Sequence, residues 1–436
     1  MHEWIGRTVT SDVGWDHLAA LSAIDDRMAG TAGERRAAEA TAAAFREAGA
    51  HDVRLTEVPV LGWSRVDSRL TAVDGDNAVD AVGLPRSPSA GAVGPLVDVG
   101  HGLPSEVAAR DVEGAVALAS TATPAHVDRA VHRREKYRNV ADAGAAGFVF
   151  RNDRPGCLAA TGAVGTATEP VGPIPAVGVG NEAGGRLLRQ CEGAPVRVEV
   201  EADVREATTR NVHAAVGPET DGSVLFTSHL DAHDLGEGAM DNGAGTAMLV
   251  EVAAALQTRD PSLDRAVEFV AFGAEEVGLV GSKHHADHAV PADVAAVVNV
   301  DGVVRGRTLR AWTHGFDALE AALRAAADAF DHPVEVDPRA GPPGDQWPLA
   351  RRGVPAYFVA SERDASGRGW GHTAADTIDK LDPRNLREQA LVLSELAVRL
   401  ATGEWPDPIT PETALERFAE AGYEGELRAG DEWPLA

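Results

Sequence analysis

One stretch limits what this chain can become more than any other: Phe226 to Leu256, FTSHLDAHDLGEGAMDNGAGTAMLVEVAAAL. The apolar strand signal Val224-Leu225-Phe226 leads into it. It closes in a helical signal, with Leu249, Val252, Ala253 and Leu256 recurring on one face. Between the two, His229, Asp231, His233, Asp234, Glu237 and Asp241 are interleaved with Gly236, Gly238, Gly243 and Gly245. In an open α/β sheet, the loop leaving the carboxyl end of a strand is where ligands are held. A strand, then a glycine-bent loop of imidazoles and carboxylates, then a helix is the order of a metal centre. The competing reading is a solvated acidic loop in an acidic chain.

Three later places offer further ligands. Phe272-Gly273-Ala274-Glu275-Glu276 puts two glutamates just beyond a strand, Val298-Asn299-Val300-Asp301 ends an apolar strand on a carboxylate, and Gly369-Trp370-Gly371-His372 places an imidazole after a turn. A carboxylate at the end of a buried strand is costly unless it is paired or bound to a cation. Read separately, Asp301 could cap a turn, the glutamates could be a solvated charge run and His372 could be structural. Together they offer two imidazoles and three or four carboxylates, a set suited to two divalent ions. Zinc tolerates this mixture, and cobalt or manganese can replace it. Two ions about 3.5 to 4 Å apart need a bridging carboxylate, for which Asp241 is the candidate.

The rest of the chain reads as an α/β scaffold with an insertion. Thr31 and Glu34 match a capping box opening a helix over 31–49, and a strand follows from Asp52 to Val60. From about residue 76 the texture turns to Gly, Ala, Val and Pro with short strand-like runs, Leu96–Val99, Ala115–Leu118, Phe148–Phe150 and Val177–Val179, and a helix over Tyr137–Gly144. After Asn211 the rhythm returns, with strands at 266–272, 295–300 and 356–359 alternating with helices over 244–256, 316–330 and 384–401. The expected fold class is therefore α/β. Residues 1–77 and 207–406 would form one discontinuous domain, 78–206 an inserted domain, and 407–436 a tail with one short helix and no assigned function.

Composition narrows the partners. The net charge is −27, with 67 acidic residues against 40 basic ones, of which only Lys136, Lys283 and Lys380 are lysines. A surface this negative repels nucleic acid and anionic membranes. It points to a cytoplasm rich in salt, where screening tolerates self-repulsion, with an acidic mesophilic protein as the alternative. Cys157 and Cys191 are too few for a disulfide framework and read as free, buried or partly buried thiols. The amino terminus has neither a basic region followed by an apolar run nor a twin arginine, and no run reaches the length of a membrane helix. A soluble cytoplasmic protein is expected. His284, His285, His288 and His314 read as ordinary solvated histidines.

The segments SHLDAHDLGEGAMDNGAG, FGAEEVGLVGS, NVD and GHTAADTIDKLDP, in this order, resemble the M28 family of di-zinc metallopeptidases. The HLD-x-x-D-x-G-x-GA-x-DNG form and the ADT-x-DK-x-DP ending are most similar to its carboxypeptidase Q (plasma glutamate carboxypeptidase) branch. DVEGAVALAS, NVADAGAAGFVFRND and GPIPAVGVGNEAGGRLL resemble a protease-associated (PA) domain. The likeness covers nearly all of residues 20 to 402. It implies a mixed central sheet with helices on both faces and a mostly-β insert that covers the cleft.

Position by position, the resemblance makes Asp241 the bridging ligand of two zinc ions, with His229 and Asp301 completing one shell and Glu276 and His372 the other. Glu275 matches the general base that activates a water held by the metals, and Asp231 the carboxylate that orients His229. The implied activity is hydrolysis of dipeptides or short peptides by an aminopeptidase or dipeptidase, and a homodimer is implied too. A carboxypeptidase, or an amidohydrolase acting on a non-peptide amide, is the alternative, and a non-catalytic scaffold the reading from another class. Ala232 and Gly369-Trp370-Gly371 depart from many relatives, and Tyr357 is not expected to donate to an oxyanion.

Overall fold

Strand residues two apart share a core, as a sheet buried on both faces requires. The computed structural model describes residues 3–73, 78–220, 222–259, 263–288, 293–361 and 369–433. Among the described residues, the strands in chain order are β1 His51–Ala72, β2 Ala78–Val79, β3 Ala81–Gly83, β4 Ala90–Asp98, β5 Val116–Ser120, β6 Gly147–Arg151, β7 Ala176–Val179, β8 Pro195–Val216, β9 Ser223–His229, β10 Ala266–Phe272, β11 Val294–Val300, β12 Leu309–Trp312, β13 Val334–Asp337 and β14 Ala356–Ser361. They hydrogen-bond in the order β13-β12-β14-β11-β9-β10-β8-β4-β5-β6-β7-β3, with β1 alongside β8 and β2 alongside β1. β14, β11, β9 and β10 are mutually parallel, while β8 and β12 run antiparallel to their neighbours β10 and β14.

Helices cover both faces of the central strands. Val224, Phe226, Val267, Phe269 and Ala271 pack with helices Val13–Ser22, Ala32–Glu47, Ala244–Arg259, Asp317–Asp328 and Pro383–Thr402. Their alternates Leu225, Val270 and Phe272 face helices Val280–His288, Trp347–Ala350, Pro411–Glu420 and Glu424–Ala429. Ala244–Arg259 is buried along almost its whole length, which explains why it is apolar on nearly every side. This is the mixed α/β architecture the sequence predicts.

The insert is joined to that sheet by a ribbon. β1 and β8 pair antiparallel from His51↔Ala215 to Ala72↔Val196. On its other edge, β8 carries β10 at Val212–Val216 and β4 at Pro195–Val200. The ribbon thus belongs to both halves, and residue 206 falls inside an unbroken strand. Residue 77, the other expected junction, lies outside the described residues. Pro59, which cannot donate to a ladder, is accepted because β1 is an outer strand there. In the insert, parallel β4 to β7 separate two further cores, one reaching Leu187 and the other Tyr137 and Val140. The helices Glu3–Val9 and Val13–Ser22 had no clear sequence signal.

Candidate metal centre

The parallel strands bring the predicted ligands to one sheet end. β9 ends on His229, β10 is followed by Glu275 and Glu276, β11 by Asp301, and the segment after β14 carries His372. Asp241 comes from the loop between β9 and the helix Ala244–Arg259. His229 Nε2 lies 3.4 Å from Asp241 Oδ1 and 3.9 Å from Asp301 Oδ1. His372 Nε2 lies 3.3 Å from Asp241 Oδ2 and 3.1 Å from Glu276 Oε2. All five predicted ligands converge, and the two oxygens of Asp241 face different imidazoles, as a bridge requires.

The Asp241 loop is held from several sides. Asp376 accepts the backbone N–H groups of Met240 at 2.7 Å and Asp241 at 3.2 Å. Asn242 donates to the Val300 carbonyl and accepts from the Gly245 N–H, tying the loop to the end of β11. Gly245 has no room for a side chain, because a Cβ would lie 2.3 Å from both Asn242 Oδ1 and the Val300 carbonyl oxygen. Gly238 adopts φ +58, where a Cβ would collide with Ala232. Ala274, next to Glu275, and the ligand His372 also hold left-handed φ values without being glycine, at a cost of about 1–3 kcal/mol each.

Asp231, fully buried, stands beside His229 and holds a second set of partners as well. Its Oδ1 stands 3.5 Å from His229 Nδ1, and its backbone carbonyl 3.1 Å from the same nitrogen. Its two carboxylate oxygens accept the N–H groups of Glu275 and Glu276. Glu275 Oε2 is 4.0 Å from His229 Nε2, beside the ligands.

Several contributors escaped the sequence reading. His233, on the same loop, places Nε2 3.0 Å from Glu276 Oε2, and its ring stands 4.4 Å from that of His372. It was visible as one of the loop imidazoles but had no assigned role. Asp376 was present only as a letter of a motif. Arg27 is buried and donates to the carbonyls of Leu230, Glu237 and Gly238, bracing the loop from a segment with no local signal. Thr161 of the insert bonds His372 twice through its backbone: its N–H reaches the His372 carbonyl and its carbonyl meets Nδ1. That leaves Nε2 turned toward Asp241 and Glu276.

The electrostatics call for cations. Burial pushes the Glu275 carboxyl well above its usual range, with His229 opposing and Glu276, Asp345 and Asp301 adding to the rise. Burial would discharge His229, but Glu275, Asp231, Asp241 and Asp301 outweigh it and hold its pKa well above the ordinary value. Asp376 is raised to about 6 by burial and then by Asp241. Glu276 Oε1 and His372 Nε2 are buried without hydrogen-bond partners. A tetrahedral zinc with ligands at about 2.0–2.1 Å separates its donors by roughly 3.3 Å. The nitrogen-to-oxygen distances of 3.1 to 3.4 Å around Asp241 and Glu276 fit that spacing.

Asp241, Glu276, Asp301 and His372, with Glu275, line a cavity of about 830 Å³. Its walls come from the insert (Arg133, Phe150), the larger half (Arg305, Arg310, Trp347, Phe358) and the tail (Tyr423, Glu426, Leu427). The tail given no function is therefore a wall of the cleft. Three further expectations change. His314 is buried against Phe418 and its pKa is pushed down to about 3 by burial, so it is not a solvated histidine. His285 packs near His213 and Phe272 and is lowered to about 4 for the same reason. Cys157 is exposed rather than buried; both cysteines are free. Tyr357 donates to the Leu319 carbonyl, inside the core.

Residues 211–397 match the family model "Peptidase family M28", and residues 92–187 match "PA domain". "Aminopeptidase YwaD" of Bacillus subtilis (strain 168) is 27% identical over 419 residues, 92% of this chain and 87% of the relative. "Probable lipoprotein aminopeptidase LpqL" of Mycobacterium tuberculosis (strain ATCC 25618 / H37Rv) is 29% identical over 76% of this chain and 66% of its own length. Among solved structures, the aminopeptidase from Aneurinibacillus sp. strain AM-1 superposes with a TM-score of 0.69 at 26% identity, covering 94% of this chain and 98% of that one. A peptidase M28 precursor from Shewanella amazonensis SB2B reaches a TM-score of 0.77 at 23% identity, over 94% and 98% of the two chains, a likeness of fold.

Proposed function

We propose that this protein, an M28-family peptidase with an inserted PA domain, is a metal-dependent aminopeptidase of dipeptides and short peptides whose centre takes two divalent ions, zinc foremost. The observation that carries the reading is the convergence of His229, Asp241, Glu276, Asp301 and His372, with the two Asp241 oxygens divided between two imidazoles. His229, Asp241 and Asp301 would hold one ion, and Asp241, Glu276 and His372 the other. Bound there, the ions acidify water and polarise the scissile carbonyl. Glu275, the proton carrier, accepts the proton from water and returns it to the leaving amine. Asp231 keeps Glu275 and His229 in register, and Thr161 fixes the His372 tautomer. The insert and the tail leave a space in the range of small-molecule sites, which supports short substrates.

Among the described residues no helix is long and apolar enough to cross a membrane. The acidic excess and the three lysines support a salt-rich cytoplasm as the working environment, and activity rising with potassium chloride would be its signature. We take 1–77 and 207–406 as the peptidase unit and 78–206 as the insert. The HLD-x-x-D and ADT-x-DK motifs support the carboxypeptidase Q branch. A homodimer rests on the family resemblance alone.

A second reading is favoured by one observation. Arg133, Arg134, Arg305, Arg310 and Arg339 line the cavity of a strongly acidic protein. Guanidinium groups suit a substrate carboxylate, so a dipeptidase or carboxypeptidase is the alternative. A panel of free, amino-blocked and carboxyl-blocked dipeptides separates the two. Undiminished turnover of amino-blocked substrates would count against an aminopeptidase, and loss of turnover on carboxyl-blocked ones would favour the alternative.

A further inference from the structure

The two halves of the centre are not equivalent. On the Asp301 side the grouped donors are His229, Asp241 and Asp301. On the other side they are His233, Glu276 and His372, with Asp241 Oδ2 3.3 Å from His372 Nε2. One half thus has three protein donors and the other four.

Three independent features of His233 support this count. Its Nε2 is 3.0 Å from Glu276 Oε2, a separation like that between His372 Nε2 and the same oxygen, at 3.1 Å. Nδ1 of His233 is buried without a hydrogen-bond partner, as are Glu276 Oε1 and His372 Nε2, while its Nε2 faces the Glu276 carboxylate. An imidazole sealed from water in this way is costly unless a ligand completes it. Finally, a small cavity of about 10 Å³, sharing Asp241, Glu276 and His372 with the large cleft, is walled on its far side by His233, with Asp376 behind. That volume is on the order of a single probe sphere, enough for one ion or one water.

We propose that His233 is a direct ligand of the ion held by Asp241, Glu276 and His372, giving that ion four protein donors and no open position. Four protein ligands close a zinc site, whereas three leave a place for water or substrate. The His233 side would therefore bind its ion tightly and exchange it slowly. The His229–Asp301 side, beside Glu275, would hold the labile ion and present the substrate position. The inference rests on the two-ion reading above, and its test separates the two.

Zinc affinities of wild type and His233→Ala, measured by competition with a chromophoric chelator, provide the first readout. Wild type is expected to release its two ions with affinities differing by about 100-fold or more, since even groups acting behind a ligand change metal affinity 10–100-fold. His233→Ala should weaken the tighter ion and leave the weaker one unchanged. Cobalt provides the second readout, independent of turnover. In wild type, proton NMR with one equivalent of cobalt should give two exchangeable, strongly shifted imidazole N–H signals, from His233 and His372. In His233→Ala it should give one. If the alanine variant is unfolded, His233→Gln is read in the same way. Wild-type affinity for both ions in a folded variant, or an unchanged signal count, overturns the inference and leaves the two-ion centre standing. Failure of wild type to bind two ions overturns both.

Discussion

Asp231 Oδ1 accepts the backbone N–H of Glu275 at 3.0 Å, so the carboxylate beside His229 also fixes where the proposed base stands. Its Oδ2 accepts the next N–H, that of Glu276, at 3.2 Å. One buried carboxylate therefore spans β9 and the turn after β10. In Asp231→Asn one of the two acceptors becomes an N–H donor facing another N–H. Leaving that group unsatisfied costs about 1–3 kcal/mol of stability. Displacing the base and the His229 ring should lower kcat about 10–100-fold, with zinc binding weakened over the same range. Unfolding curves, kcat and zinc content measured on one preparation check this; unchanged kcat would mean that the base is positioned some other way.

Glu275→Gln separates base from ligand. The amide keeps the size of the side chain but cannot take a proton, so kcat should fall by about 10²–10⁴-fold or more. Zinc content, read by elemental analysis, should stay at the wild-type value. Loss of zinc in this variant would instead place Glu275 among the metal ligands.

How much of this was legible beforehand depended on how local each cause was. The ligand-bearing loop, the Glu275-Glu276 pair and Asp301 sit directly after strands buried on both faces, so near-continuous apolar runs ending in charge revealed them. Thr31 caps its helix as its spelling predicts, accepting the Glu34 N–H at 3.1 Å. Glu34 then departs from the simple box: its carboxylate reaches the N–H groups of Gly30 and Ala274, supporting the turn that carries Glu275. Nothing near Glu34 in sequence announces Ala274. Arg27 and Thr161 were illegible for the same reason, since each acts through backbone groups more than 200 residues away. The tail's first helix, Pro411–Glu420, lies where its short signal put it; what went unread is the second, Glu424–Ala429, and the core that Phe418, Tyr423 and Leu427 complete with other segments.

Glu426 gives the cleft wall a pH dependence. It is buried, and burial raises its pKa to about 8, with Arg134 and Arg129 opposing the rise and Glu135 and Glu432 adding to it. The unfolded chain would ionise it near 4.5, so between about pH 4.5 and 8 the folded state holds the extra proton. Its contribution to stability is full below pH 4.5 and is lost as pH rises through 8. Every tenfold gain in proton affinity on folding corresponds to about 1.4 kcal/mol, and relaxation around the carboxyl reduces the total. Thermal unfolding of wild type and Glu426→Gln across pH 4.5 to 8.5 should show wild type losing stability relative to the variant as pH increases. A constant difference would mean that Glu426 is already ionised in the folded protein.

Phe418 ties the tail to the body of the enzyme and tests whether that wall limits substrate length. Its ring is 2% exposed and meets Trp347, His314 and Tyr423 at centroid distances of 5.0, 5.6 and 6.4 Å. Phe418→Ala would remove the centre of this cluster, at a cost of about 3–5 kcal/mol, read by urea unfolding. The consequence should reach the cleft, because Tyr423, Glu426 and Leu427 line it immediately downstream of Phe418. With that wall loosened, peptides of four or five residues should gain in kcat/KM relative to dipeptides. Relief of about 1.4 kcal/mol of steric rejection would raise the ratio about 10-fold. Loss of stability with an unchanged ratio would mean that the tail packs against the enzyme without limiting what enters it.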